Sequence, residues 1–363
     1  MDKKNSQVSQ EEITALRQRW LETDPESGGD RRAVMIRQLK ESCPIGRTGR
    51  PVKLDLRGID LSNQDLSNMD FSGYDLSFAI MNRVNLNRSN LSYGRLTGAS
   101  LEMAVLDECE FIGVDLSHAS LNECHASHCG FGGADLSHVS MINAQLSEAV
   151  LSRSKLCSAD LRASDLTGAR ISEADLSRAV FTRACLCDAD LKHSNLAHTL
   201  FGLADLRRCR LLGVENFKTA DWVGADVRDM DLRGAYLVRR HISDENYLFE
   251  FKSQSRGHKS LYWIWWFTSD CGRSLLRWLV WLVAATLGFG LIYTQVAIDY
   301  GDYQTWFSPI YFSFVTLTTL GYGDAVPMSL TAQIVVSLQA VTGYMGLGGL
   351  LSILGNKMAR RAE

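Results

Sequence analysis

The sequence predicts a chain of two dissimilar parts: a solenoid of stacked repeats, followed by an all-α membrane domain with two spans. Three observations support this prediction. A large apolar residue recurs at every fifth position from Leu56 onward. Residues 278–298 and 325–356 contain no charged side chain, and each run is long enough to cross a ~30 Å hydrocarbon core as a helix. Between the two runs lies the stretch "VTLTTLGYGD", from Val315 to Asp324.

Length, charge and cysteine content restrict the class of protein before any motif is considered. A chain of 363 residues has room for more than one domain, and a formal net charge of -3 gives no reason to expect a nucleic-acid partner. The N-terminus, "MDKKNSQVSQ", has no apolar core and no small-residue cleavage site, so we expect no signal peptide. Nine cysteines without a secretory signal predict reduced thiols rather than a disulfide framework.

The polar half is one long repeat with a period of five. The large residue is present at every repeat as far as Leu211, except at Ala126, and a small residue such as Ala134 often stands two positions before it. After Leu211 the register slips by one residue, and the large positions continue at Phe217, Trp222, Val227, Leu232 and Leu237. This period matches neither a helix nor a strand, and one repeat is too short to bury its own apolar side chain. Copies must therefore stack into a solenoid with a shared core.

Segments such as "ADLSH", "ADLRA" and "SDLTG" give residues 54–238 the A(D/N)LXX consensus, and this region resembles the pentapeptide-repeat family. The resemblance implies a right-handed parallel quadrilateral β-helix over residues 54–240, with four pentapeptides in each coil. That would make about nine coils, stacked at the ~4.8 Å spacing of paired strands. The slip after Leu211 predicts a one-residue bulge in a late coil.

Residues 1–53 are expected to form a helical cap for the first coil. In "SQEEITALRQRWLE", Ser9 and Glu12 form a capping box before a helical pattern, and a second short helix is predicted to begin at Asp30. The open end of a solenoid exposes apolar surface that must be covered. Contacts between assembled chains are the alternative use for these helices.

Two groups of residues within the repeat are candidate functional sites, one for a metal ion and one for pH sensing. "CHASHC" contains Cys124, His125, His128 and Cys129, all of which are residue types that bind zinc. The cysteines occupy the small inward position and the histidines occupy flanking positions, so we expect no convergence on one metal. His118 and His138 are twenty residues apart, so coils of four units would stack them on one face. We expect a solvated ladder there, and a pH-sensing pair is the alternative.

The apolar half predicts a multi-pass protein of the cell inner membrane. Basic residues precede the first span, as at Arg273 and Arg277, and follow the second, as at Lys357, so both termini and the solenoid are expected in the cytoplasm. We predict a linker and aromatic interfacial segment at 241–273, a pore domain at 274–356 and a short tail at 357–363. Within the pore domain we expect a first span at about 276–298, a pore helix at about 306–318 and a second span at about 329–355. The aromatic segment "LYWIWWFTSDCGRSLLRW" suits membrane anchoring or transmission of movement to the pore.

The stretch between the spans is expected to line a path across the membrane. The pore helix is too short to cross, and non-helical backbone at membrane depth is tolerated where it lines a water-filled path. Glycines allow alternate residues to adopt positive φ, which turns successive carbonyls toward one axis. The stretch resembles the potassium-channel signature TVGYG, and residues 270–355 resemble the two-transmembrane bacterial potassium channels.

That resemblance implies a role for each residue of the loop. The potassium-coordinating groups would come from Thr319, Leu320, Gly321 and Tyr322, with Gly323 completing the outer turn of the filter. Asp324 would pack behind the filter or attract cations at its mouth. Leucine stands at 320 where the signature has valine, which bears on how strictly potassium is selected. Gly343, in a glycine cluster of the second span, is the candidate gating hinge, and close helix packing is the alternative use of these glycines.

The sequence therefore predicts a potassium-selective channel rather than an enzyme. The resemblance implies a homotetramer in a lipid bilayer, with K⁺ as the permeant ion and no cofactor or further metal. No voltage-sensing arginine stripe is encoded, so the solenoid, with an unidentified cytoplasmic ligand or protein, is the expected regulatory or assembly element. In this hypothesis the state of the solenoid acts on the inner gate through residues 249–278. The alternatives are a non-selective cation channel and a membrane-tethered repeat protein that binds a partner.

Overall fold

The computed structural model describes residues 9–25, 28–45, 54–231 and 233–362. The chain divides into two compact units between Tyr247 and Leu248. The first unit contains the repeat and the second contains the apolar helices.

The repeat forms parallel coils of four pentapeptides. Bridges join each residue at the position before the large apolar residue to the residue twenty positions on, beginning with Asp55 and Asp75. Eight successive bridges from Asp55 to Glu215 connect nine coils along this column. The predicted period and coil number are confirmed. Because every coil contributes its N–H groups and carbonyls to its neighbours, the polar backbone is satisfied while the apolar side chains point inward.

The core is built from the two positions that the pattern singled out. Large residues such as Phe111 and Phe131 are fully buried and stack with ring centroids 4.9 Å apart. Small residues two positions earlier, such as Ala134, are equally buried. The corner residue two positions after the large one adopts a positive φ, as at Asn63 with φ of 57°. Side chains at these corners therefore point outward and stack in columns.

The slip in register appears where it was predicted. Asn195 pairs with Glu215 twenty residues on, whereas Leu200 pairs with Asp221, twenty-one residues on. The extra residue is taken up by Asn216, with φ of 55°, and by a 3₁₀ turn at Phe217–Thr219. After this insertion Trp222 returns to the core, is 1% exposed and stacks on Phe201 at 4.5 Å.

Two N-terminal helices pack on the first coil. Helices α1 (Gln10–Gln18) and α2 (Arg31–Ser42) begin at the predicted residues, with the reciprocal Ser9–Glu12 capping box and Asp30 as the second N-cap. Trp20 and Leu39 are buried in the same apolar core as the coils. The N-terminal opening of the solenoid is thereby covered.

The far end of the repeat differs from the sequence prediction. Leu237 was expected to be a core residue of the solenoid, which is wrong: it lies in helix α3 (Tyr236–Gln254) and its side chain is 67% exposed. Helix α3 instead places Val238 and Ile242 into the solenoid core. A helix spaces inward residues by three or four positions, so the five-residue period cannot continue into it. Leu232, also expected to be a core position, lies outside the described residues.

The second unit is helical. It contains α4 (Arg256–Ser269), α5 (Leu275–Tyr293), the short apolar α6 (Ser308–Leu317) and α7 (Leu330–Ala362). Strand β1 (Ile298–Asp299) pairs antiparallel with β2 (Val326–Pro327), which ties together the two sides of the loop around α6. Helix α5 and residues Leu330–Gly355 of α7 are long and apolar enough to cross a bilayer. Helix α7 continues to Ala362, through most of the segment expected to be a tail.

The residues of the "CHASHC" segment point in different directions. Cys124 and Cys129 are fully buried, whereas His125 and His128 are exposed. Burial raises the pKa of the Cys124 thiol to about 12, which suits a core side chain. The predicted stacking of His118 and His138 is confirmed, since their rings lie 4.8 Å apart and nearly parallel.

Candidate functional site

Helix α6 leads directly into the "TTLGYGD" loop. It begins at Ser308, and Pro309 lies in its first turn, where the missing N–H removes no helical hydrogen bond. At its end, the N–H groups of Thr318, Thr319 and Leu320 donate to the carbonyls of Phe314, Thr316 and Val315 at 2.9, 3.1 and 3.0 Å. The loop therefore starts at the negative end of the helix dipole, which favours a cation.

The backbone of the loop alternates in handedness. Thr319, Gly321 and Gly323 have φ values of 59°, 51° and 78°, whereas the intervening Leu320 and Tyr322 do not adopt positive φ. Positive φ at the two glycines matches the prediction, but at Thr319 it was not foreseen. A β-branched residue pays a steric cost in this conformation, so the surrounding contacts must hold it there. Alternation of this kind is the backbone conformation expected for successive carbonyls that face one axis.

The loop lies open at the surface of the single chain. Leu320 and Tyr322 are 55% and 67% exposed. A Cβ atom added at Gly321 or Gly323 would meet nothing within 4 Å. Asp324 interacts with the hydroxyl of Tyr311 on α6, and its role behind the filter or at its mouth stays a prediction. The side chains of the loop are therefore not covered by the rest of the described chain.

A buried polar network holds α6 between the two long helices, and sequence reasoning did not identify it. Gln339 of α7 donates from Nε2 to the Ser313 carbonyl at 2.9 Å and to Ser313 Oγ at 2.6 Å. Ser313 Oγ donates to the Thr286 carbonyl of α5 at 2.7 Å, and the Tyr293 hydroxyl donates to Gln339 Oε1. The available signal was the glutamine Gln339 in the middle of an uncharged run, because a polar side chain at membrane depth needs a partner.

Gly343 has a clear packing role in this structure. A Cβ atom there would lie 2.2 Å from the carbonyl oxygen of Leu317, the last residue of α6. Gly346 and Gly349 leave room for the side chains of Leu282 and Trp278 from α5 in a similar way. A Cβ atom added at either glycine would lie 2.5 Å from the nearest atom of that side chain. Gly348 has no atom within 4 Å of its added Cβ. Gly343 therefore permits α7 to approach the base of the loop, and its use as a hinge stays a prediction.

Comparison with known families assigns both parts of the chain. The family described as "Ion channel" matches residues 278–360, which include α6, the loop and nearly all of α7. The family described as "Pentapeptide repeats" matches in eight copies, over residues 55–92, 95–125, 116–153 and 144–183. The chain joins a pentapeptide-repeat domain to an ion-channel domain. Both families are non-enzymatic, in agreement with the sequence prediction.

Individual relatives resemble one part or the other. The chain is 38% identical over 61 residues to the calcium-gated potassium channel TvoK of Thermoplasma volcanium, a match that covers 17% of this chain and 18% of that channel. HetL, from the cyanobacterium Nostoc sp. strain PCC 7120, is 26% identical, with 55% of this chain and 94% of HetL covered and a TM-score of 0.26. QnrB1, a plasmid-mediated fluoroquinolone resistance protein, is 17% identical, with 51% and 95% covered and a TM-score of 0.38.

Proposed function

We propose that the pore domain conducts potassium selectively and that its filter is the backbone from Thr319 to Gly323. The observation that supports this most directly is the alternation of positive φ at Thr319, Gly321 and Gly323. Carbonyls turned toward one axis replace the hydration shell of a dehydrated potassium ion, and the ion then moves down its gradient. The negative end of the α6 dipole lowers the energy of a cation at the same place.

The filter is completed by four copies of the chain. One loop supplies one strand of carbonyls, so a closed ring requires symmetric neighbours. Helix α7 has an apolar stripe available for them: Leu330, Ile334, Leu338, Val341 and Met345 are all exposed in the single chain and follow helical spacing. This stripe and the open loop lie in the same unit. We therefore propose a homotetramer in a lipid bilayer.

Potassium, rather than any cation, is proposed from two observations. The loop reads "TTLGYGD", and the matched relative TvoK is a potassium channel. Since the match spans only 18% of the length of TvoK, the calcium gating of that channel is not proposed for this chain. Leu320 contributes a carbonyl, so its side chain affects packing around the filter rather than the ligands themselves. A looser filter would give the alternative function, a non-selective cation channel.

The membrane orientation follows from charge. Basic residues before α5, such as Arg273 and Arg277, and after the apolar part of α7, such as Lys357, support an orientation with both ends of the pore domain in the cytoplasm of a cell with an inner membrane. The pentapeptide-repeat domain then lies in the cytoplasm and serves regulation or assembly through a ligand or protein partner. If channel opening is unchanged in a chain lacking residues 1–240, this role is wrong.

The experiment is a flux assay on purified protein in liposomes. Potassium and sodium uptake are compared with and without barium as a pore blocker, for the wild type, Gly321→Ala and Gly348→Ala. We expect barium-sensitive potassium flux in the wild type and in Gly348→Ala. We expect its loss in Gly321→Ala, because alanine disfavours a φ of 51°. Equal potassium and sodium flux would instead indicate the non-selective channel.

A further inference from the structure

Two cysteines of the solenoid point outward, unlike most of the others in the repeat. Cys109, Cys124, Cys129 and Cys209 occupy the small inward position and are fully buried, where they replace alanine. Cys185 and Cys187 flank the core residue Leu186, so their side chains lie on the outer face of the coil, as residues two apart on a strand do. None of the nine cysteines forms a disulfide bond. Neither Cys185 nor Cys187 belongs to the apolar core of the solenoid, although Cys187 is only 6% exposed.

The next coil brings a carboxylate to the same place. Cys185 is bridged to Asp205, its neighbour twenty residues on, so the two side chains stand one above the other. The ligand atoms of Cys185, Cys187 and Asp205 all lie within 4.8 Å of one another. Around a tetrahedral zinc ion with ~2.3 Å bonds, neighbouring ligand atoms are about 3.7 Å apart. Small side-chain rotations would close the present group to that spacing.

We propose that Cys185, Cys187 and Asp205 bind one thiophilic divalent cation of the zinc type. Two sulfurs and one carboxylate oxygen select soft or borderline ions such as Zn²⁺ and Cd²⁺ over Ca²⁺ or Mg²⁺. Water takes the fourth position. The Asp205 side chain is 29% exposed and Cys185 is partly exposed, whereas Cys187 is only 6% exposed and contacts Arg207, so an ion in solution reaches the site from the side of Asp205 and Cys185. This site lies in the pentapeptide-repeat domain and is independent of the proposed selectivity filter.

Arg207 contacts two members of this group and balances the charge of Asp205 when no ion is bound. Its guanidinium donates to Asp205 at 2.7 Å and to Cys187 Sγ at 3.8 Å. Its Nε also lies 4.0 Å from a carboxylate oxygen of Asp226, in the next coil. When the ion takes the Asp205 oxygen, Arg207 therefore keeps an acidic partner.

The net charge of the site is the same with and without the bound ion. In the empty site two neutral thiols accompany one carboxylate and one guanidinium, so the net charge is zero. On binding, the thiols release two protons to solvent and form two metal–sulfur bonds. Two thiolates and one carboxylate are then neutralised by the divalent ion together with Arg207. No buried charge is left without compensation, which is the condition for a stable site.

The test is a Cd²⁺ titration of the full chain in detergent, stripped of metal and kept reduced, followed by the ultraviolet sulfur-to-cadmium charge-transfer band. We expect one such site per chain in the wild type, competed by Zn²⁺. The band should be lost in the Cys185→Ser/Cys187→Ser double variant. We expect Asp205→Asn to weaken binding by about tenfold or more. Cys157→Ser is the matched control, because Cys157 is also an outward thiol beside a carboxylate, 3.0 Å from Asp175, but lacks a second sulfur.

The control variant should titrate like the wild type. Circular dichroism of each variant checks that the coils are intact, and serine at outward positions removes no core contact. If the wild type shows no thiolate band, or if the double serine variant retains it, the site does not exist. Histidine sites elsewhere on the chain produce no sulfur charge-transfer band and so cannot imitate the expected result.

Discussion

Gln339 on α7 and Ser313 on α6 share two hydrogen bonds, one to the Ser313 carbonyl at 2.9 Å and one to its hydroxyl at 2.6 Å. Both residues are 0% exposed. Through Ser313 the network continues to the Thr286 carbonyl on α5, and through Gln339 it continues to the Tyr293 hydroxyl. Three helices are thereby fixed to one another four residues before α6 ends. The position of the loop along both long helices therefore depends on this contact.

Replacing Gln339 with leucine should therefore destabilise the pore domain. Leucine leaves the Tyr293 hydroxyl without its acceptor and the Ser313 carbonyl without a donor, at about 1–3 kcal/mol for each buried group left unpaired. We expect a lower unfolding temperature in detergent and reduced potassium flux. Gln333→Leu, an exposed glutamine on the same helix, is the control and should change neither. Equal stability of the two variants would show that the network does not hold α6.

Gly343→Ala tests the close approach of α7 to the end of α6. The new methyl group would lie 2.2 Å from the Leu317 carbonyl oxygen, so α7 and the base of the loop must move apart. Overpacking of this kind costs about 1–3 kcal/mol. We expect lower thermal stability together with impaired conduction. Gly348→Ala, with no atom near the added methyl, should be stable. A Gly343→Ala variant of normal stability with altered gating alone would favour the hinge.

The attachment of α1 to the first coil should depend on pH. Arg57, and then Arg19, hold the pKa of Asp55 well below its ordinary value of 3.8, mainly through hydrogen bonds to the carboxylate. Because the folded pKa is depressed, the stabilisation is complete above the ordinary value. It is lost as the pH falls below that value toward the folded pKa.

Unfolding temperatures of the wild type and Asp55→Asn, measured from neutral pH downward, check this expectation. We expect the wild type to be more stable at neutral pH and the difference to shrink as the pH falls below 3.8. Asp229→Asn, an exposed corner residue, is the control. A difference that stays constant with pH would mean that the charge of Asp55 does not support the contact.

The corners of the solenoid provide a test of backbone strain. Ala163 has φ of 56°, a conformation that costs an L-residue roughly 1–2 kcal/mol and costs glycine little. We expect Ala163→Gly to stabilise the repeat by up to about 1 kcal/mol. Ala159→Gly, at a buried inward position of the same coil, should destabilise it by leaving a void. Thermal unfolding followed by circular dichroism measures both, and the opposite order of stability would contradict this description of the corners.

The sequence predicted most of the solenoid because its period is a direct consequence of coil geometry. Twenty-residue pairing, the slip after Leu211 and the stack of His118 on His138 all follow from counting residues. The prediction for Leu237 failed because a chance match to the period continued into a helix whose inward residues follow another spacing. A pattern of period five does not record where the backbone changes its conformation.

In the pore domain the sequence predicted the backbone at Gly321 and Gly323 but missed the positive φ at Thr319. A glycine marks a position where positive φ is expected, because glycine reaches it without steric cost. A threonine that its neighbours hold at positive φ has no such marker in the sequence. The contacts of Gln339 and Gly343 were also missed, because they join helices distant in the sequence. Their partners, Ser313 and Leu317, have no local feature that marks them.

The central claim is that the loop from Thr319 to Gly323 selects potassium, and the most direct measurement is a reversal potential. Purified protein in a planar bilayer is recorded with potassium on one side and an equal concentration of sodium on the other. Our account predicts a reversal potential displaced strongly in the direction set by potassium, and loss of the current with barium. A reversal potential at zero, with a current that barium does not block, would contradict it.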